Sequence, residues 1–108
     1  MIFDSETGLL TNQWLVLMTD LSDYMKLFRQ NGYSDDQAAT CIVRFQLIKT
    51  LKDEIERRNW TQAEAAKAIS VAQPRIAEVM GLRIDKFSVD LLIKYLHRLG
   101  KQVSLQVK

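Results

Sequence analysis

The run QAEAAKAISVAQPRIAEVMG, residues 62 to 81, limits what this chain can fold into more than any other stretch. Ala65, Ala66 and Ile69 recur at helical spacing and fall on one side of a short helix, and Ile76 and Val79 mark the inner side of a second. Between them, Ser70, Val71 and Ala72 leave too few residues for a strand or a true loop. Thr61 is a natural N-cap, its hydroxyl able to satisfy a free backbone N–H, and Glu64 three residues on completes a capping box. Pro74 stands where the second helix begins, a place where its missing N–H does no harm. Val71 is the apolar residue of the turn and is placed to plug the gap between the helices. The small side chains of Ala65 and Ala66 let the two helices cross closely and steeply.

This arrangement is a helix-turn-helix that presents its second helix outward. The stretch resembles the DNA-binding motif of the XRE family, the lambda-repressor/Cro type. As in that family, a Gln opens the first motif helix (Gln62), a small residue lies at the close crossing (Ala66), an apolar residue follows the turn (Val71), and branched residues hold the second helix inward (Ile76, Val79). The family usually places Gly in the turn, where this chain has Ser70. A left-handed backbone is free for Gly and costs another residue roughly 1 kcal/mol or more. Residues 43 to 107 look more narrowly like the HigA-like antitoxin branch, through the VAQPRI run and the continuation IDKFSVDLLIKYLHRLG. That resemblance implies an antitoxin that binds a toxin, a small ribonuclease, and represses its own operon.

A chain of 108 residues buries one modest core, about two-thirds of the surface its unfolded form exposes. The single Cys41 excludes an internal disulfide and leaves no metal cluster, which fits a reducing compartment. With no apolar run of membrane-spanning length and no signal-peptide pattern at the N-terminus, the expectation is a cytoplasmic protein. The net charge of +2 is unevenly placed. Residues 1 to 42 carry six acids against Lys26 and Arg29, whereas residues 43 to 108 carry thirteen bases against seven acids. That asymmetry is the footprint of a C-terminal part that meets a polyanion. It divides the chain into an N-terminal helical extension, residues 1 to 42, and a DNA-binding domain with a C-terminal strand, residues 43 to 108.

In chain order, Trp14, Leu17, Met18, Leu21, Met25 and Phe28 recur at three- and four-residue steps and predict an amphipathic helix over residues 13 to 30, stopped by Asn31-Gly32. Ser34 caps a second helix, with Gln37 in the capping-box position, and Ala38, Cys41, Ile42, Phe45, Ile48, Leu51 and Ile55 keep helical phase to about Arg58. Asn59 is a left-handed stop from which Trp60 folds back on Ile55. After the two motif helices, Gly81 ends the second, and Ile84 and Phe87 turn inward from a connecting loop. Ser88 caps a last helix, with Val89, Leu92, Ile93, Leu96 and Leu99 facing the core until Gly100. Residues 102 to 107 alternate polar and apolar, which argues a strand. A lone strand needs a partner. The candidates are the same strand of a second copy, another protein, or residues 1 to 4. The fold class is therefore all-α, five to six helices with a helix-turn-helix and one short C-terminal strand, the strand paired across a dimer in the simplest arrangement.

In such a motif the N-terminal residues of the second helix reach base edges in the major groove. Those residues are Gln73, suited to adenine, and Arg75, suited to guanine, with Glu78 a turn further on and Ala72 close to a thymine methyl. By the resemblance, Gln73 occupies the main base-reading position. Gln62 at a helix N-terminus can donate to a phosphate, and Lys67, Arg83 and Lys86 are placed for the backbone. On any other helix these would be ordinary solvated residues; here Pro74 and Ile76 determine which way the helix faces. The aromatics Trp14, Phe28, Phe45 and Trp60 read as core, and His97 as a surface or half-buried residue. No catalytic constellation or Gly-rich phosphate loop occurs, so neither enzyme chemistry nor a cofactor or metal is expected. The leading expectation is a homodimeric repressor of double-stranded DNA with a palindromic operator. A helix-turn-helix-shaped protein-interaction module, or a phage- or plasmid-type repressor without a toxin, stands beside it.

Overall fold

The computed structural model describes residues 2–3 and 21–107 of the chain. Their order is β1 (Ile2–Phe3), α1 (Leu21–Gln30), α2 (Asp35–Arg57), α3 (Gln62–Ile69), α4 (Gln73–Met80), a 3₁₀ turn (Ile84–Lys86), α5 (Val89–Arg98) and β2 (Gln102–Val103). The all-α class and the helix-turn-helix are both present. Of the helix expected over residues 13 to 30, the part from Leu21 is seen; Trp14, Leu17 and Met18 lie outside the described residues. Gly32, at φ 87°, gives the left-handed exit from α1, and Asn31 adds a bond from its amide to the Leu27 carbonyl at 2.7 Å.

The 23-residue α2 is the platform for the rest. Its start is sealed reciprocally: Gln37 N donates to Ser34 Oγ at 3.1 Å, and Ser34 N donates to Gln37 Oε1 at 2.9 Å. Ile48, Leu51 and Ile55 form a fully buried row along it, against which Ile69 of α3, Ile76 and Val79 of α4, and Leu92 and Leu96 of α5 pack in one cluster. Asn59 takes the left-handed conformation at φ 55°, and Trp60 returns to the same cluster with Trp60 N on Ile55 O at 3.4 Å.

Two expectations are refined. Ile93 is 37% exposed, and Tyr95, at 4%, is buried in its stead. The core row of α5 is Leu92, Tyr95, Leu96 and Leu99, one helical stripe, and Ile93 stands about 100° round from its start, on the side of Val103. The C-terminal strand is shorter than its alternation implied: Gln102 and Val103 pair antiparallel with Phe3 and Ile2, the in-chain partner, while Leu105 and Val107 stay 84% and 82% exposed.

A polar knot closes the end of α2 against the start of β2. Glu54 is buried, and its carboxylate takes hydrogen bonds from Arg57 and Arg58, with Lys101 Nζ, itself 4% exposed, at 3.7 Å. Arg58 also donates to the Leu99 carbonyl at 2.7 Å, which joins the ends of α2 and α5. Burial alone raises the Glu54 carboxyl, but the hydrogen bonds from Arg57 and Arg58 and the charge of Lys101 outweigh it and hold the group below the ordinary glutamate value of 4.5. A carboxyl lowered in the folded state adds stability that is present above its unfolded value and lost as pH falls through the folded one. Glu54→Gln is expected to lower unfolding free energy by about 3 kcal/mol at neutral pH, since it removes a buried carboxylate charge that Arg57 and Arg58 are bonded to and that Lys101 faces. Urea titrations at several pH values should show the deficit shrinking below pH 4.5; a deficit constant with pH would exclude this role for the charge.

Candidate nucleic-acid interface

The two motif helices are eight residues each and are shaped by their ends. Thr61 caps α3, its Oγ1 accepting from Glu64 N at 3.1 Å while Glu64 Oε1 accepts from Thr61 N at 3.2 Å. At the other end Ser70 is left-handed, φ 64° and ψ 49°. Its N–H donates to Lys67 O at 3.3 Å, and Val71 N–H donates to Ala66 O at 2.9 Å, the double closure of a Schellman turn. The chain thus reverses without glycine. Val71 is half-buried against the core cluster, as a plug between the helices should be. Pro74 is in the first turn of α4, where its missing N–H leaves nothing unsatisfied; Ala72 at the N-cap supplies no side-chain bond, and its carbonyl accepts from Arg75 N at 3.0 Å.

Helix α4 is anchored by Ile76 and Val79, both 0% exposed, and opposite them Gln73, Pro74 and Ala77 are exposed. Gln62, at the start of α3, and Gln73, at the start of α4, line one open depression of about 390 Å³ together with Pro74 and Ala77. The fold therefore brings together two of the sequence-predicted residues, one from each motif helix. Ala72 and Lys67 are also exposed on these elements.

Arg75 is placed differently. Its guanidinium lies over the Phe87 ring, 4.4 Å from the centroid, and Nη1 donates to the Lys86 carbonyl and to Glu78 Oε1, both at 3.3 Å. Arg75 and Glu78, with side chains 33% and 28% exposed, are thus turned to the flank of α4 and to each other. Arg83 is exposed beyond α4 and makes two 3.3 Å contacts with Asp85. Hydrogen bonding and charge from Asp85 raise the Arg83 guanidinium, and the Arg83 hydrogen bond lowers the Asp85 carboxyl. An ion pair this exposed holds its partners weakly and exchanges readily for another anion. Lys86 is exposed in the 3₁₀ turn, its carbonyl engaged by Arg75.

Three arginines that sequence reasoning did not single out, or placed elsewhere, support this surface from behind. Arg98 of α5 donates to the Ile69 carbonyl at 2.8 Å, at the last residue of α3. Arg44 of α2 donates to the Ile84 carbonyl at 3.3 Å and approaches Cys41 Sγ at 3.3 Å. Arg75 itself ties α4 to the loop that follows. The spacing of Tyr95 and Arg98, three apart on one helix, hinted at one such contact. Nothing in the sequence could announce a bond between residues forty apart.

Ser70 supplies a test of the turn. Replacing it with Gly relieves a left-handed side-chain clash of about 1 kcal/mol, partly offset by the greater freedom of the unfolded chain. Ser70→Gly should raise the urea midpoint without altering the slope; a lowered midpoint would contradict the left-handed assignment.

A helix-turn-helix domain family model matches residues 31–108, well over half of the chain. No curated protein matches it in sequence. With the two-helix geometry and the outward face of α4, that match identifies the chain as a member of a helix-turn-helix domain family, a DNA-binding regulator.

Proposed function

We propose that this protein is a sequence-specific repressor of the XRE type that lays α4 in the major groove of double-stranded DNA. The carrying observation is the outward face of Gln73, Pro74 and Ala77, shared with Gln62, while Ile76 and Val79 are wholly buried behind it. Gln73 reads an adenine edge through its amide, and Ala72 lies beside it for a thymine methyl. Gln62 meets a phosphate, with Lys67, Lys86 and Arg83 adding charge, the last by exchanging Asp85 for phosphate. Arg75 and Glu78, turned to the flank, are not needed for this reading.

One short helix reads too few base pairs to regulate alone, so the active species is a homodimer on a palindromic operator, with half-sites about one helical turn apart. In this reading residues 43 to 108 are the DNA-binding domain and residues 1 to 42 an extension for the dimer or another protein. The exposed Leu105 and Val107 after β2 are a second candidate for either contact. The similarity of the VAQPRI and IDKFSVDLLIKYLHRLG segments to HigA-like antitoxins supports an autorepressing antitoxin with a ribonuclease toxin as partner.

Binding to the DNA upstream of the protein's own coding sequence should weaken roughly ten- to a hundredfold in Gln73→Ala. Wild-type affinity should also fall steeply between 50 and 200 mM salt, by roughly a thousandfold if six phosphates are contacted. Full affinity in the variant together with little salt dependence would remove the DNA reading and favour a protein-interaction module.

A further inference from the structure

An alternating stack of cations and rings runs behind the motif and touches both of its helices. The Arg75 guanidinium, from α4, lies 4.4 Å from the Phe87 ring centroid. Phe87, 3% exposed, meets Tyr95 of α5 edge-to-face, with centroids 6.2 Å apart and planes at 78°. On Tyr95 rests Arg98, its guanidinium 5.8 Å from the ring, and Arg98 in turn donates to the carbonyl of Ile69, the last residue of α3, at 2.8 Å. The stack therefore starts on the flank of α4, crosses α5 and ends on the terminus of α3. Ile76 and Val79, its only buried residues, hold α4 inward but do not by themselves prevent it rolling about its axis. A roll of even 20° moves a side-chain tip at helix radius plus side-chain length by about 2 Å, enough to break a bidentate base contact.

We propose that Arg75 and Arg98 are positioning residues, which through the Phe87–Tyr95 ring pair set the angle at which α4 presents Gln73 to DNA. This rests on α4 being the helix that enters the groove. The geometry suits the role. A guanidinium over a ring face is attracted to it, and here Arg75 is also bonded to the Lys86 carbonyl and Glu78, so it has three partners inside the protein. Glu78 on the same flank neutralises the charge that would otherwise draw Arg75 toward phosphate.

A base-reading arginine and a positioning arginine differ in what their loss does to discrimination. Arg75→Met, Arg75→Lys, Arg98→Met and the Arg75→Met/Arg98→Met double variant would be titrated against the upstream DNA and its single-base-pair substitutions, at a temperature where circular dichroism shows each folded. Arg75→Met is expected to lose about fivefold in affinity for every site alike, with unchanged preference at each base pair. Arg75→Lys should recover part of it, since an ammonium also sits over a ring. Arg98→Met should show the same uniform loss, and the double variant less than the product of the two. Loss of preference confined to one base pair in Arg75→Met would make Arg75 a reader and overturn the proposal, as would undiminished affinity in that folded variant. The stack has a second readout that does not involve DNA. Urea unfolding of the wild type, the two Met variants and their double variant should be non-additive between Arg75→Met and Arg98→Met, and strict additivity overturns it even if the wild type binds no DNA.

Discussion

Two helices of eight residues cannot stay helical in water on their own, because each forms too few hydrogen bonds to offset the cost of its first turn. What holds α3 and α4 is the burial of Ile69, Ile76 and Val79 against the Ile48–Leu51–Ile55 row of α2. Each such side chain contributes about 2 kcal/mol by removal from water. Ala65 and Ala66, both buried, keep the crossing close enough for those contacts to form. Everything that faces outward is oriented by what this cluster pulls inward.

Around the cluster, four arginines perform one task. Arg44, Arg58, Arg75 and Arg98 each donate to a main-chain carbonyl at a helix end or in a connecting turn: Ile84, Leu99, Lys86 and Ile69. Helix ends leave carbonyls without partners and carry partial negative charge, so a guanidinium with its fan of donors satisfies them and is attracted at once. This changes the meaning of the charge asymmetry along the chain. Part of the basic excess of residues 43 to 108 is spent inside the protein, while Lys67 and Lys86, among the predicted contact residues, are exposed on the surface. An exposed lysine is a mobile point charge and suits phosphate; a braced arginine suits geometry.

The outward face that results is small, mostly neutral and made of amide, proline and alanine. Specificity on such a face depends on where one or two amides stand rather than on how much charge surrounds them, and the stack of rings and cations behind α4 acts on that placement. Stability at the C-terminal end of α2 has a different basis, the knot of Glu54, Arg58 and Lys101, whose first two members stand just ahead of the motif and whose third follows α5.

Local chemistry in the sequence determined the helix-turn-helix, both capping boxes, the left-handed exits at Gly32, Asn59 and Gly100, and the buried identity of Ile69, Ile76 and Val79. Those features depend on residues within a few positions of one another, so spacing and side-chain type suffice to read them. The exposure of Gln73 followed from the same periodicity. The direction of Arg75, the burial of Tyr95 in place of Ile93, and the pairing of Gln102–Val103 with Ile2–Phe3 were decided only when distant segments met. A long flexible cation goes to whichever ring or carbonyl the tertiary fold sets within reach, and a short strand to whichever edge arrives beside it. Neither choice is encoded in the neighbouring residues.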